Sequence, residues 1–132
     1  MAVLKDKKVA GAVFANDAEI VRVVYDFTKD GGAVANYDVL VADSACVVSL
    51  KHMAVKTAVT SGGSMTLDLG KGAGGTEFFS NKAVAALTAN SIHVTSAPAA
   101  VRLASGEKVV MALEVAAATA GKVEMVFEVV KF

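Results

Sequence analysis

The sequence predicts an all-β fold, a jelly-roll-like β-sandwich of about eight strands with one short helix near residues 80–89. Three observations predict it. First, apolar and polar residues alternate at period two in several short runs, most plainly Val123, Met125, Phe127 and Val129 against Lys122, Glu124, Val126 and Glu128. Second, hydrophobic residues make up 55% of the chain while aromatics make up 6% and tryptophan is absent. Alanine and valine carry the excess, and the branched Cβ of valine packs well on a pleated surface. Third, turn chemistry recurs between the runs, as in Lys29-Asp30-Gly31-Gly32 and Thr60-Ser61-Gly62-Gly63-Ser64.

In chain order, residues 1–18 show no clean period and read as an N-terminal arm or edge strand, leaving 19–132 as a single sandwich domain. A chain of 132 residues buries roughly two-thirds of the surface it exposes when unfolded, so one core suffices without disulfide or metal. Val21, Val23, Tyr25 and Phe27 mark a first clear strand, and Tyr37, Val39 and Val41 a second. Cys46 to Val59 is longer, with a break or bulge predicted around Lys51-His52-Met53. Met65, Leu67 and Leu69 form the inward side of a strand that closes a hairpin with it. Ser80 or Asn81 caps the expected helix over Ala83–Leu87, which stops at Asn90. Ile92 to Thr95 is a short strand, followed by one through Val101 and Leu103. The last quarter reads as a second hairpin: Val109, Met111, Leu113 and Val115 face inward, Ala117–Gly121 turns, and Val123 to Val129 returns.

Composition and motif inventory narrow the function. Thirteen basic and thirteen acidic residues cancel, with no basic stripe and no interleaved aromatics, which excludes the usual nucleic-acid footprint. Near-zero net charge weakens self-repulsion and permits close assembly with copies or partners. No charge occurs from Ala83 to Val101, yet Thr88, Asn90, Ser91, His93 and Thr95 exclude a membrane span. The apolar run after Lys5, Lys7 and Lys8 is at the minimum length, lacks leucine and follows Asp6, so it reads poorly as a signal peptide. Cys46, the only cysteine, sits among Ala45, Val47 and Val48 and is expected to be a buried thiol. Gly70–Thr76 is rich in glycine, but its lysine comes second and no Gly-Lys-Ser/Thr ending follows, so it is a surface loop and not a phosphate cradle. His52 and His93 stand apart with no metal-ligand spacing, and no serine occupies Gly-x-Ser-x-Gly. Asp68, Glu114, Glu124 and Glu128 read as solvated outward carboxylates. No catalytic, cofactor or metal residue is assigned; the reading is not an enzyme, and no cofactor is expected.

Four stretches together resemble the small capsid decoration (cement) proteins of tailed bacteriophages. They are Glu19–Phe27 with Asp30-Gly31-Gly32, Val55–Gly70, Ala83–Ala89 and Gly121–Phe132, so the resemblance spans roughly residues 19–132. It is one of general pattern. It implies a homotrimer on the exterior of the virion, bound to the major capsid protein and clamping neighbouring coat subunits. Lys5, Lys7, Lys8, Val9, Val13 and Phe14 are then the candidate capsid contacts, on an arm that supplies no clear sandwich strand. A tail or head-fibre component of the same kind of virus is the second reading. A carbohydrate- or ligand-binding sandwich module is the third, weakened by the scarcity of aromatics.

Overall fold

The computed structural model describes residues 2–10, 18–95 and 99–132. The strands in order are β1 (Ala2–Ala10), β2 (Ala18–Asp26), β3 (Ala35–Ala42), β4 (Cys46–Ser61), β5 (Thr66–Lys71), β6 (Phe79–Ala83), β7 (Ile92–His93), β8 (Ala100–Leu103), β9 (Lys108–Glu114) and β10 (Ala118–Lys131). They form two sheets. The first has the order β1-β3-β9-β5-β6; the second has β2-β10-β4-β7, with β8 also paired to β4. Neighbours are antiparallel except β1 on β3, which is parallel. From β2 onward the chain crosses repeatedly between sheets, so most consecutive strands face one another across the core. This is an all-β sandwich, jelly-roll-like in its strand order.

That crossing overturns both predicted hairpins. The two runs of the last quarter lie in different sheets, β9 between β3 and β5 and β10 between β2 and β4. The run at Cys46–Val59 and the run at Met65–Leu69 are separated in the same way. The physical reason is burial. A hairpin lays two apolar faces side by side and still needs a cover, whereas an arch turns them toward each other. Val123, Met125 and Phe127 on β10 and Val109 and Met111 on β9 are all fully buried. Val115 was expected on that inward face; it lies beyond β9 in the connection and is 76% exposed.

The core is filled from both sheets by Val21, Val23, Leu40, Met53, Leu67, Leu69 and Leu103, with Cys46 buried as expected. Phe78 meets Phe127 edge-on at 6.0 Å, and Tyr25 meets Tyr37 at 5.8 Å. The bulge expected near residue 51 is present: Val126 pairs with His52 but Phe127 with Leu50, leaving Lys51 as the extra residue.

The helix predicted near residues 80–89 is present but shorter than the sequence suggests. Residues 79–83 pair with β5 as a strand, and only Val84–Ala86 turn, as a single 3₁₀ turn. Two turns of alanine-rich chain are too short to nucleate a helix alone. Here β5 offers the backbone a ladder, and Leu87 is drawn into the core at 1% exposure. Among the described residues the one α-helix, α1, is Phe27–Asp30. Its ends cap each other: Thr28 N donates to the Asp26 carboxylate at 3.0 Å, and Asp26 N donates to that of Asp30 at 2.9 Å. Gly31 follows at φ 76, which lets the chain leave the helix.

Candidate contact surface

The two ends of the sandwich differ in chemistry, because successive arches gather at alternate ends. One end collects the connections after β3, β5 and β8. Those segments bring Asp43, Lys71, Glu77, Glu107 and Lys108 together. Glu107 accepts from Ala104 N at 2.7 Å and lies 3.4 Å from the Lys71 ammonium. That backbone bond, with Lys71 adding to it, holds the Glu107 carboxyl below its ordinary range. Lys71 N in turn donates to Glu77 at 2.9 Å. Lys108 reaches the Asp38 carboxylate at 3.0 Å, where the Asp38 side chain is only 4% exposed.

The opposite end collects the connections after α1, β4, β6 and β9. Segments 31–36, 57–67, 84–87 and 115–121 contain no Asp, Glu, Lys or Arg, in a chain that is 20% charged. Hydrogen bonds tie three of them together. Ser61 Oγ donates to Ala117 O at 2.7 Å, Thr60 and Thr119 hydroxyls meet at 2.8 Å, and Ala118 N donates to Gly32 O at 2.8 Å. From below, the Tyr25 hydroxyl donates to Gly31 O and the Tyr37 hydroxyl to Ala33 O, each at 2.7 Å. Burial pushes both phenols above their ordinary range. Gly32 has no room for a Cβ, which would strike Ala118 O and come within 2.8 Å of the Phe27 ring.

Among the described residues, Val34 at 54% and Val115 at 76% exposure project from this end. Val115 has φ 73, and Ala116 N donates to Glu114 O at 2.9 Å across it. An i→i+2 bond around positive φ is the γ-turn that is rare and strained, and a β-branched residue there is an outlier.

The carboxylates read as solvated are not all so. Asp68 is 6% exposed and accepts from Asn81 N at 2.6 Å. A hydrogen bond and repulsion from Asp68 raise the Glu114 carboxyl above its ordinary range. The pair sits on the outer side of the first sheet, where Thr66 of β5 pairs with Glu114. Glu124 pairs with Arg22 at 3.1 Å on the outer side of the second sheet. It borders an open depression of about 450 Å³ with Lys29, Lys56 and Lys122. His93 bonds the Ser91 hydroxyl at 2.9 Å, and burial lowers its pKa below the ordinary imidazole value. Among the described residues no three of His, Cys, Asp and Glu are grouped to hold a metal ion, and no helix is long and apolar enough to cross a membrane.

Of the candidate capsid contacts, Lys5, Lys7, Lys8 and Val9 lie on β1, the outermost strand of the first sheet. Lys8 pairs with Leu40 and Val9 with Val41, after an irregularity that separates them from the Val3–Asp38 pair. Val13 and Phe14 lie outside the described residues. The uncharged end went unrecognised in the sequence, although its charge-free segments are visible there. Only the topology brings them together.

No family model matches the chain, and no curated protein matches it. Among solved structures, a chain of the cyanophage Pam1 capsid asymmetric unit is similar at TM-score 0.59 and 20% identity, over 92% of this chain and 90% of that one. A chain from Bacillus endospore appendages, described as disulfide-linked pili, aligns at TM-score 0.33 and 16% identity, over 92% of this chain and 97% of that one. The first likeness shows that the sandwich described above is a fold found in another protein, over nearly the whole length of both chains.

Proposed function

We propose that the chain is a structural virion protein that binds the outside of a phage capsid as an oligomer, a homotrimer, and stabilises contacts between coat subunits. One observation carries the reading: the fold is shared, over 92% of the chain, with a chain of the cyanophage Pam1 capsid asymmetric unit. The site inventory is compatible with it, since among the described residues the side chains are engaged in packing, caps and ion pairs and compose no constellation for acyl transfer or hydrolysis. The reading therefore has no enzyme activity in it.

In this reading the capsid contact is the β1 edge, through Lys5, Lys7, Lys8 and Val9, with Val13 and Phe14 beyond it. An outermost strand presents unpaired backbone groups to a neighbour, and lysines on it limit pairing with wrong ones. Because β1 is part of a sheet, deleting it would strip β3 as well as remove the contact. Charge reversal of Lys5, Lys7 and Lys8 together is the cleaner variant, and it is expected to weaken capsid binding while the thermal midpoint holds.

The copy number per particle tests the reading. Quantitative mass spectrometry of purified virions is expected to find this polypeptide near one copy per coat subunit. A handful of copies would move it to the tail or a unique vertex, and absence from particles would overturn it.

A further inference from the structure

We propose that the Asp68 and Glu114 carboxyls, which meet on the outer face of the first sheet, share one proton and form an acid-closed clasp between the end of β9, β5 and the edge strand β6. The clasp makes the turn after β9 respond to pH. It goes beyond the capsid reading above and stands without it.

The register places the pair. Asp68 pairs with Ala112 and Thr66 with Glu114, so Asp68 and Glu114 are diagonal neighbours on one face, within reach of a long side chain. Leu67 and Leu69 point into the core, so that face is the outer one, yet Asp68 is almost fully buried. A bulge explains what holds it there. Leu67 pairs with Lys82 and Leu69 with Phe79, which leaves Ser80 and Asn81 together opposite Asp68. Asn81 sits at φ 50, and its N–H donates to the Asp68 carboxylate at 2.6 Å. The carboxylate thus takes a backbone donor that the irregular ladder leaves over.

Elementary chemistry then locates the proton. A side-chain hydrogen bond joins Glu114 to Asp68. An ionised carboxylate only accepts, so one of the two carries a proton. Asp68 already accepts from Asn81 N, which favours its anion, and Glu114 is therefore the acid. The charged neighbours are occupied elsewhere. On β3, Asn36 is uncharged, and Asp38 is held by Lys108 from the far end of β9. Glu77, beside Gly70 on the same face, accepts from Lys71 N. On β6, Lys82 pairs with the inward Leu67 and lies over the Phe79 ring. Glu114 is also the last residue of β9, and its carbonyl accepts from Ala116 N across the strained Val115 turn. When the pH rises through the Glu114 value, the two carboxylates repel and Glu114 turns to water. The strained turn then loses the side-chain tether at its base.

The test is an NMR titration of the purified full chain that follows the side-chain carboxyl carbons, the Asn81 amide shift and the exchange protection factor of the Ala116 amide. Glu114 is expected to titrate above 4.5, with the Asn81 amide moving in the same transition. Protection at Ala116 is expected to fall as the pH rises through that transition. Glu114→Gln keeps a donor on Asp68 at every pH, so the Asn81 and Ala116 transitions should vanish. Asp68→Asn still accepts from Asn81 N but offers no carboxylate to share a proton, so Glu114 should fall back to its ordinary range or below. Wild-type Glu114 titrating at or below 4.5 would overturn the proposal, as would Ala116 protection that stays level through the Glu114 transition. A Glu114→Gln variant that keeps both transitions, or a Glu114 that stays raised in Asp68→Asn, would overturn it as well.

Discussion

The two ends of this sandwich are built from the same kind of part, short connections between facing strands, yet they are held together differently. One is fastened by charge: Lys71 with Glu107, Glu77 on the Lys71 backbone, and Lys108 on a buried Asp38. The other is fastened by neutral hydrogen bonds and close backbone contact, among Gly32, Ser61, Ala117 and Ala118. The difference teaches where each end can be used. An ion-paired end holds its charges against one another, one of them, Asp38, in the interior. A neutral, rigid end can be covered without stranding a charge.

Substitutions at each end should separate the two modes. The largest effect is expected for Lys108→Met. It leaves the Asp38 carboxylate at 4% side-chain exposure, and Asp38 Oδ1 already has no hydrogen-bond partner among the described residues. Stranding a buried charge is expected to lower stability by roughly 3 kcal/mol in urea titrations. Gly32→Ala comes next at the neutral end, since its Cβ meets Ala118 O and the Phe27 ring; overpacking of that kind costs about 2 kcal/mol. A third change should go the other way. Val115→Asn relieves the positive-φ strain and is expected to raise stability by roughly 1 kcal/mol.

The carboxylates at the two ends should show opposite pH signs. Glu114 borders the neutral end, and its pKa is raised above the ordinary 4.5 by Asp68. The folded protein holds that proton more tightly than the unfolded chain does. Its contribution is therefore complete below pH 4.5 and is lost as pH rises through the folded value. Glu114→Gln should melt higher than wild type at neutral pH, with the gap closing on acidification. Glu107 is lowered by its bond from Ala104 N, so its contribution is present above 4.5 and is lost as pH falls through the folded value. Glu107→Gln should melt lower than wild type at neutral pH and match it in acid. The smallest effect is expected for Lys71→Met, whose partner is exposed: a slight fall in midpoint that disappears in high salt.

How far the sequence could be read follows from the same elements. Strand existence was legible wherever one face is buried, as in Val21, Val23 and Tyr25 or in Met125, Phe127 and Val129, because period-two alternation records burial directly. Pairing was not legible. A connection such as Val115-Ala116-Ala117 is short enough for a hairpin and long enough for an arch, and residue type does not distinguish them. The helix is shortened to the 3₁₀ turn Val84–Ala86 for a related reason, since propensity over Ala83–Leu87 is outweighed at its start by a ladder to β5 that only tertiary structure supplies. Asp68 looked solvated because its neighbours alternate cleanly, but Asn81 and Glu114 come from distant residues. The charge-free segments were present in the sequence; their meeting at one end was not.

Reconstitution tests the proposed role on the outside of a capsid most directly. Coat particles lacking this protein would be titrated with the purified chain, and bound and free protein separated by sedimentation. Saturable binding that levels near one copy per coat subunit, with added resistance of the particles to heat, is the result predicted here. Particles that take up none of it, and melt no differently in its presence, would contradict the claim.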